Sequence, residues 1–80
     1  RSAKDLLITS QLRAALISNK KIKSVNYNID TYKKKIYIYG ISQNKMERDE
    51  VTKEAKQILD VKDVVTSIFL VDDLRVVKKQ

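Results

Sequence analysis

The hydrophobic positions of the first twenty residues repeat with the spacing of an α-helix. They predict one buried stripe at i, i+4, i+7 and i+8, formed by Ile8, Leu12, Ala15 and Leu16. Asp5 is the first candidate for the N-cap of this helix, and Ser2 is the competing choice. Asn19 tolerates the left-handed conformation that often ends a helix, so we expect the helix to end there.

Three further apolar residues of this helix lie off the buried stripe: Leu6, Leu7 and Ile17. Arg13 falls on the same side as Leu6 and Ile17, so this second patch is flanked by a cation. One contact with a core needs only one apolar stripe. The second patch therefore either packs under the C-terminal tail or a neighbouring loop, or contacts something outside the chain.

The segment from Lys33 to Ser42 alternates with the period of two that is typical of a β-strand. It also contains Gly40, the single glycine of the chain. Ile36 and Ile38 share one face of this strand, and the other face carries Tyr37, Tyr39 and Ile41. Apolar surface on both faces predicts a central strand, or one with a second contact surface.

Two more strands are predicted, one before and one after this segment of the chain. Ser24 to Ile29 is predicted to be the first strand, and its apolar face would carry Val25, Tyr27 and Ile29. Residues 30–34 would then form a polar hairpin turn. The apolar run from Val64 to Val71 is predicted to be the last strand.

A second helix is predicted between the central and the last strand. Asn44 and Glu47 have the spacing of a capping box, and the helix should end near Asp60. Its buried stripe would be Val51, Ala55 and Ile58. The acidic cluster in its first turns is Glu47, Asp49 and Glu50, which we interpret as complementing the helix dipole rather than as a metal or acid–base site.

The order of these elements is α-β-β-α-β, which predicts an α+β fold with two helices on one face of a three-stranded mixed sheet. We expect a single domain over residues 1–71, with its core in residues 5–71, and a C-terminal tail over residues 72–80. The abrupt start at Arg1-Ser2-Ala3 suggests a domain excised from a longer protein whose targeting segment lies upstream.

Composition argues against catalysis. The 80 residues include no histidine and no cysteine, which excludes zinc sites of the usual kind and Ser-His or Cys-His nucleophiles. No glycine-rich phosphate loop is present. We therefore expect no enzyme, no cofactor and no metal. No run reaches the roughly 18 apolar residues of a membrane-spanning helix.

The net charge of +7 is concentrated in the N-terminal half of the chain. Residues 1–35 contain nine basic and two acidic residues, which is the whole surplus. A one-sided basic surface favours polyanions such as anionic lipid head groups or nucleic acid. The alternative is that abundant lysine, isoleucine and asparagine reflect an AT-rich genome.

Several of these positions together resemble the BON domain, a bacterial module named for osmotically induced and nodulation proteins. The resemblance covers about residues 5–71 and rests on the joint spacing of mostly apolar positions: Asp5-x-x-Ile8-x-x-x-Leu12-x-x-Ala15-Leu16, Ile36-x-Ile38-x-Gly40, Glu47-Arg48, Ala55 and Val61-x-x-Val64. Two positions depart from the family pattern. Asp60 stands where the family usually has glycine, and Ser42 replaces an apolar residue.

The resemblance implies an α-β-β-α-β module of the bacterial cell envelope that binds phospholipid surfaces or joins proteins. It is closest to the second BON domain of two-domain outer-membrane lipoproteins. The resemblance therefore implies a periplasmic location in association with the outer membrane. It assigns no invariant functional side chain to any position of this chain.

Our leading hypothesis is a non-enzymatic module that binds anionic phospholipid through its first helix. The residues expected to contact lipid are Lys4, Leu6, Leu7, Arg13, Ile17, Lys20 and Lys21. The alternative is a protein-interaction module that docks a sister BON domain or a second copy through its open sheet face. The residues expected there are Tyr37, Tyr39, Ile41, Val65, Phe69 and Val71, unless residues 74–77 fold back over them. Single-stranded nucleic acid is a disfavoured third partner, because most lysines lie away from the tyrosines.

Overall fold

The computed structural model describes residues 1–74 of the chain, with side chains described through Asp72. Its elements follow the order α-β-β-α-β and end in one short helix, which confirms the predicted fold class. They are α1 (Ala3–Ser18), β1 (Tyr27–Tyr32), β2 (Lys35–Ser42), α2 (Lys45–Lys56), β3 (Asp63–Leu70) and α3 (Val71–Leu74). Residues 75–80 of the predicted tail lie outside the described residues.

The central strand of the mixed sheet is β2, as its two apolar faces predicted. It pairs antiparallel with β1, where Ile38 lies opposite Ile29, and parallel with β3, where Ile36 lies opposite Val64. A parallel pair requires a crossover connection, and α2 provides it. Both long helices pack on the sheet face that carries Ile36 and Ile38.

The core lies between the two helices and this face of the sheet. Its most deeply buried side chains come from α1, β2 and α2: Ile8, Leu12, Leu16, Ile36, Ile38, Val51 and Ala55. This set confirms the predicted stripes, with Ala15 only half-buried and Ile58 packed against the core from its rim. Full burial of one such leucine or isoleucine contributes about 1.5–3 kcal/mol, so the two stripes and β2 dominate the stability.

The hairpin turn between β1 and β2 contains only Lys33 and Lys34, and the predicted five-residue turn is wrong. Both lysines have positive φ values, 52° and 67°, as in a type I′ turn. Their N–H groups donate to the carboxylate of Asp5, at 2.9 and 2.8 Å. These two bonds hold the turn in a left-handed conformation that lysine does not favour by itself.

The Asp5 carboxylate can bind the hairpin turn because it does not cap α1. Ser2 is the N-cap, and its hydroxyl accepts from the Asp5 N–H at 3.1 Å. Asp5 is buried at the third helical position, facing the hairpin. Burial acts to raise the pKa of Asp5, but the N–H groups of Lys34 and Lys33, together with hydrogen bonding from Ser2, outweigh it and hold the pKa below its ordinary value.

The predicted ends of the two outer strands also need correction. Ser24 to Asn26 forms a 3₁₀ turn, because the Asn26 N–H donates to the Lys23 carbonyl, and Val25 is 81% exposed instead of facing the core. At the other end, Leu70 is the partner of Ser42, the last residue of β2. Val71 has no residue of β2 to pair with, so it begins α3 rather than ending the strand.

Asn44 caps α2 as predicted, accepting from the Glu47 N–H at 3.0 Å. Glu47 itself is buried and accepts from the N–H groups of Gln43 and Lys23, at 2.7 and 2.9 Å, so it ties the helix to the loop after α1. The helix ends at Lys56, earlier than predicted. Asp60 follows with a φ of 71°, the left-handed conformation in which glycine would be less strained.

Gly40 and Ser42 both serve the packing of one aromatic ring. A Cβ at Gly40 would lie 2.3 Å from the Asn26 carbonyl oxygen and 2.6 Å from Cδ1 of Tyr27, so only glycine lets Tyr27 approach β2. The Tyr27 hydroxyl shares a hydrogen bond with the hydroxyl of Ser42, and both side chains are buried. The serine that departs from the family pattern therefore has a partner.

Candidate functional site

The solvent side of α1 presents apolar side chains where a single-domain protein usually presents charge. Leu6 is 58% exposed, Leu7 49% and Ile17 66%. We call this surface the outer face of α1, and its exposed residues are Leu6, Leu7, Ser10, Arg13, Ala14 and Ile17. The described part of the chain covers none of them, so they do not pack under a neighbouring loop; residues 75–80 of the tail lie beyond it.

The spacing along α1 arranges four residues of this face in one row, with Leu7 and Ala14 beside it. Leu6, Ser10, Arg13 and Ile17 follow i, i+4, i+7 and i+11, so they lie one above another. Leu6 and Ile17 are about 16 Å apart along the helix axis, with the Arg13 guanidinium between them. The outer face is therefore an apolar strip with a single cation within it.

Two of the predicted lysines lie just beyond the C-terminal end of α1. Lys20 and Lys21 are exposed in the loop that follows Asn19. The Asn19 side chain holds this loop, since its amide donates to Glu50 at 3.1 Å and to Glu54 at 2.7 Å. The bond from Asn19 lowers the pKa of Glu50, and the ammonium groups of Lys21 and Lys53 act in the same direction.

A cleft of about 730 Å³ opens between this loop and the first turns of α2. Lys20, Lys21 and Lys23 line one wall, and the opposite wall includes Met46 and Asp49. The sequence reasoning missed Lys23 as a neighbour of the candidate site. The available signal was its position two residues after Lys21, but its place in the cleft depends on the bond from its N–H to Glu47.

The remaining predicted lipid contact, Lys4, is not brought together with the others. Its ammonium forms an ion pair with Asp60 at 2.8 Å, on the side of α1 that faces the loop before β3. The hydrogen bond from Lys4 and the charge of Lys4 lower the pKa of Asp60. Lys4 is therefore engaged in an exposed ion pair, and it lies one helical turn before Leu7 of the outer face.

Tyr32 carries a further cationic cluster that the sequence reasoning placed in a turn. The Arg1 guanidinium lies 5.0 Å and the Lys33 ammonium 5.4 Å from the centre of its ring, within the range of cation–π contacts. Arg1 also forms an ion pair with Asp30, which raises the pKa of Arg1 and lowers that of Asp30. No short-range pattern would have connected Arg1 with Asp30, which is 29 residues away.

The sheet face opposite the helices is the second candidate surface. We call it the open sheet face, and five of the six predicted residues lie on it: Tyr37, Tyr39, Ile41, Val65 and Phe69. Phe69 is 60% exposed, and the register sets it beside Ile41. Val71, the sixth, is in α3. The open sheet face and the outer face of α1 point to opposite sides of the domain.

The described residues contain no group of three or more histidine, cysteine or acidic side chains that could hold a metal ion. None of the helices described is long and apolar enough to cross a membrane.

Comparison with known proteins agrees with this architecture. The family model of the BON domain matches residues 4–72. A protein of Anaplasma centrale described as "Uncharacterized protein in gshII 5'region" is 35% identical over 66 residues, which is 82% of this chain and 44% of that protein. The chain thus spans less than half the length of this relative. BON domains are non-catalytic binding modules of bacterial envelope proteins that associate with phospholipid or with other proteins. The extent of the family match, together with the shared fold, shows that this chain belongs to the BON domain family.

Proposed function

We propose that this domain binds anionic phospholipid surfaces through the outer face of α1. The observation that carries the proposal is the exposure of Leu6, Leu7 and Ile17 on a helix whose opposite side already forms the core. A helix that is apolar on both sides is most stable when both sides are removed from water. α1 would lie parallel to the membrane plane, with these side chains at the boundary between head groups and acyl chains.

In this orientation three exposed cations would meet lipid phosphates. They are Arg13 within the apolar strip, and Lys20 and Lys21 in the loop that follows α1. Each cation near an anionic surface contributes about 1 kcal/mol. Three cations and three partly inserted apolar side chains support a reversible association, well short of the affinity of a lipid anchor.

The decisive experiment compares two paired substitutions in a vesicle cosedimentation assay. Leu6→Ser/Leu7→Ser removes apolar surface from the outer face of α1. Val65→Ser/Phe69→Ser removes a similar amount from the open sheet face, at sites that are 40% and 60% exposed. We expect the first variant to bind vesicles containing phosphatidylglycerol at least about tenfold more weakly, and the second to bind them like the unchanged chain.

Amide NMR on the same samples shows whether each variant is folded and where lipid binds. Shifts confined to residues 4–21, present with anionic micelles and absent with zwitterionic ones, support the proposal. Unchanged vesicle binding by folded Leu6→Ser/Leu7→Ser would mean that lipid, if bound at all, is bound by another surface.

The setting proposed for this interaction is the periplasm, at the inner leaflet of the outer membrane. Membership of the family places such domains in bacterial envelope proteins, and the known relative is more than twice as long as the matched region. We propose that a longer protein supplies a lipid anchor and a sister BON domain, as in two-domain outer-membrane lipoproteins. Weak binding by α1 would then orient a domain that is already tethered.

The open sheet face supports a second candidate function, which is docking of a sister BON domain. Tyr39, Ile41 and Phe69 form a contiguous exposed apolar surface, and aromatic residues are enriched in protein interfaces. Because this face points away from α1, protein docking and lipid binding do not compete. Sedimentation with a sister domain in trans, comparing the unchanged chain with Tyr39→Ser/Phe69→Ser, tests it: association that the double substitution leaves intact contradicts docking by this face.

A further inference from the structure

The outer edge of β3 is a long strand edge without the usual protection. β3 runs for eight residues with an unbroken register against β2, and no described strand pairs with its other side. From Val64 to Leu70 it contains no charged residue, no proline and no glycine. Isolated domains usually protect such an edge with a charge, a proline or a bulge, because its free N–H and C=O groups bind other strands.

The opposite edge of the same sheet is formed by β1 and is protected. β1 is shorter, and the Arg1 guanidinium bonds to Asp30 and covers the ring of Tyr32. Thr31 is also occupied, since its hydroxyl shares a hydrogen bond with Thr9 of α1 at 2.7 Å. The edge formed by β1 is covered and charged, whereas the edge formed by β3 is open and has no charged residue after Asp63. This asymmetry points to a strand partner for β3.

We propose that the partner is β3 of a second copy of this chain, paired antiparallel to give a continuous six-stranded sheet. Lys62 precedes the strand and Asp72 follows it. The strand itself begins with Asp63. In antiparallel pairing Lys62 of one copy lies opposite the aspartate at position 72 of the other and Asp63 lies opposite Val71, whereas in-register parallel pairing would set each charge beside its own equivalent.

The side chains of β3 complement one another in the register centred on Ser67. Val65 of one copy then lies opposite Phe69 of the other, Val64 lies opposite Leu70, and Ser67 faces its own equivalent on the two-fold axis. Four of the five apolar side chains between Val64 and Leu70 thus gain a directly opposite apolar neighbour, and Ile68 lies opposite Thr66. No like charges face each other within the paired strands.

This assembly differs from docking by the open sheet face. The two-fold axis is perpendicular to the sheet, so the helices of both copies lie on one side of it. Both outer faces of α1 then point the same way, and both open sheet faces remain free. A pair of eight-residue strands buries less than the roughly 1,200 Å² of a stable interface, so the dimer is a weak and reversible one.

A single-cysteine cross-link tests the register, because the chain has no cysteine of its own. Residues facing each other across an antiparallel pair have Cα atoms about 4.5–5.5 Å apart, within disulfide range. We expect Ser67→Cys to form a cross-linked dimer on oxidation. Val65→Cys on the same face of the same strand would lie four positions from its equivalent, so we expect little cross-linking from it.

Sedimentation and amide exchange test the association itself. Between about 10 μM and about 1 mM, we expect a rising dimer fraction, with exchange slowing at the β3 amides that point away from β2. Thr66→Lys should abolish both effects without touching the open sheet face, while Gln57→Lys, which adds the same charge on the exposed end of α2, should leave them unchanged.

Three results would overturn the proposal. A chain that stays monomeric at about 1 mM with alternate β3 amides unprotected has an open edge and no partner of its own kind. A dimer in which those amides still exchange freely associates through another surface, such as the open sheet face. Protection of the whole strand in a chain that sediments as a monomer means that residues of the same chain occupy the edge.

Discussion

At the scale of single residues, Gly40 shows that a glycine can be required by a close approach rather than by its backbone angles. Its φ is not in the left-handed region. What requires glycine is the Asn26 carbonyl and the Tyr27 ring, both of which lie within 2.6 Å of the position that a Cβ would take. Tyr27 can therefore be buried against β2 only because position 40 has no side chain.

We predict that Gly40→Ala destabilises the domain by about 1–3 kcal/mol, the usual range for overpacking. A glycine-to-alanine change at an unstrained strand position instead stabilises a protein by about 0.4–1 kcal/mol, because it restricts the unfolded chain. The sign of the change in unfolding free energy, measured by urea denaturation, therefore shows whether overpacking or restriction of the unfolded chain is the larger effect. A more stable Gly40→Ala variant would show that β1 and Tyr27 can move away at little cost.

A second prediction at this scale concerns the buried hydroxyl pair of Tyr27 and Ser42. Tyr27→Phe leaves the Ser42 hydroxyl buried without a partner, which costs about 1–3 kcal/mol. Adding Ser42→Ala removes the orphaned hydroxyl, so we expect the double variant to be more stable than Tyr27→Phe alone. Chemical denaturation of the unchanged chain, the two single variants and the double variant gives a double-mutant cycle. Strictly additive changes in unfolding free energy would mean that the two hydroxyls do not interact.

The same pair gives the domain a defined alkaline limit. Burial raises the pKa of Tyr27 to about 12, above its ordinary value of 10.0. The folded state therefore keeps a proton that the unfolded state loses first, and stability falls as the pH rises from about 10 through 12. Thermal melts in this range should show a smaller pH dependence for Tyr27→Phe than for the unchanged chain.

At the scale of elements, Asp5 links α1 to the hairpin. This link explains why the hairpin turn was misplaced in the sequence analysis. The apolar periods located both helices and all three strands. The turn was misplaced because a two-residue turn with positive φ normally contains asparagine or glycine, and here it contains two lysines. Its stability comes from Asp5, some 28 residues earlier in the chain. Such a long-range bond leaves no signal in a local pattern.

This link predicts a specific sensitivity to acid. The pKa of Asp5 is lowered in the folded state, so its stabilisation is present above the ordinary pKa near 4 and is lost as the pH falls below it. We expect Asp5→Asn to lower the melting temperature at pH 7 and to flatten the loss of stability between about pH 5 and pH 2. Asp30→Asn is the control and should change the melting temperature little, because the ion pair of Asp30 with Arg1 is exposed to solvent. Equal effects of both substitutions would contradict the proposed role of Asp5.

At the scale of the whole molecule, the candidate surfaces lie on opposite sides of a thin domain. Sequence spacing predicted which side of α1 would carry Leu6, Leu7 and Ile17, because helical periodicity alone determines it. It could not separate Lys4 from the other cations, since the Asp60 that binds Lys4 is 56 residues away. The bare edge of β3 also emerged only from the strand order, which shows that the most apolar strand lies outermost.

The lipid-binding proposal makes a last prediction about how charge is distributed over the molecule. Lys20→Gln/Lys21→Gln and Lys35→Gln/Lys62→Gln remove the same charge from the chain, but only the first pair lies beside the outer face of α1. We expect the first variant to bind anionic vesicles several-fold more weakly near 0.1 M salt, and the second to bind nearly as well as the unchanged chain. Near 1 M salt the Debye length falls from about 10 Å to about 3 Å, so the three proteins should converge on the weak binding supplied by the apolar side chains. Equal weakening by both variants at low salt would mean that net charge, rather than the placement of these lysines, attracts the domain to the membrane.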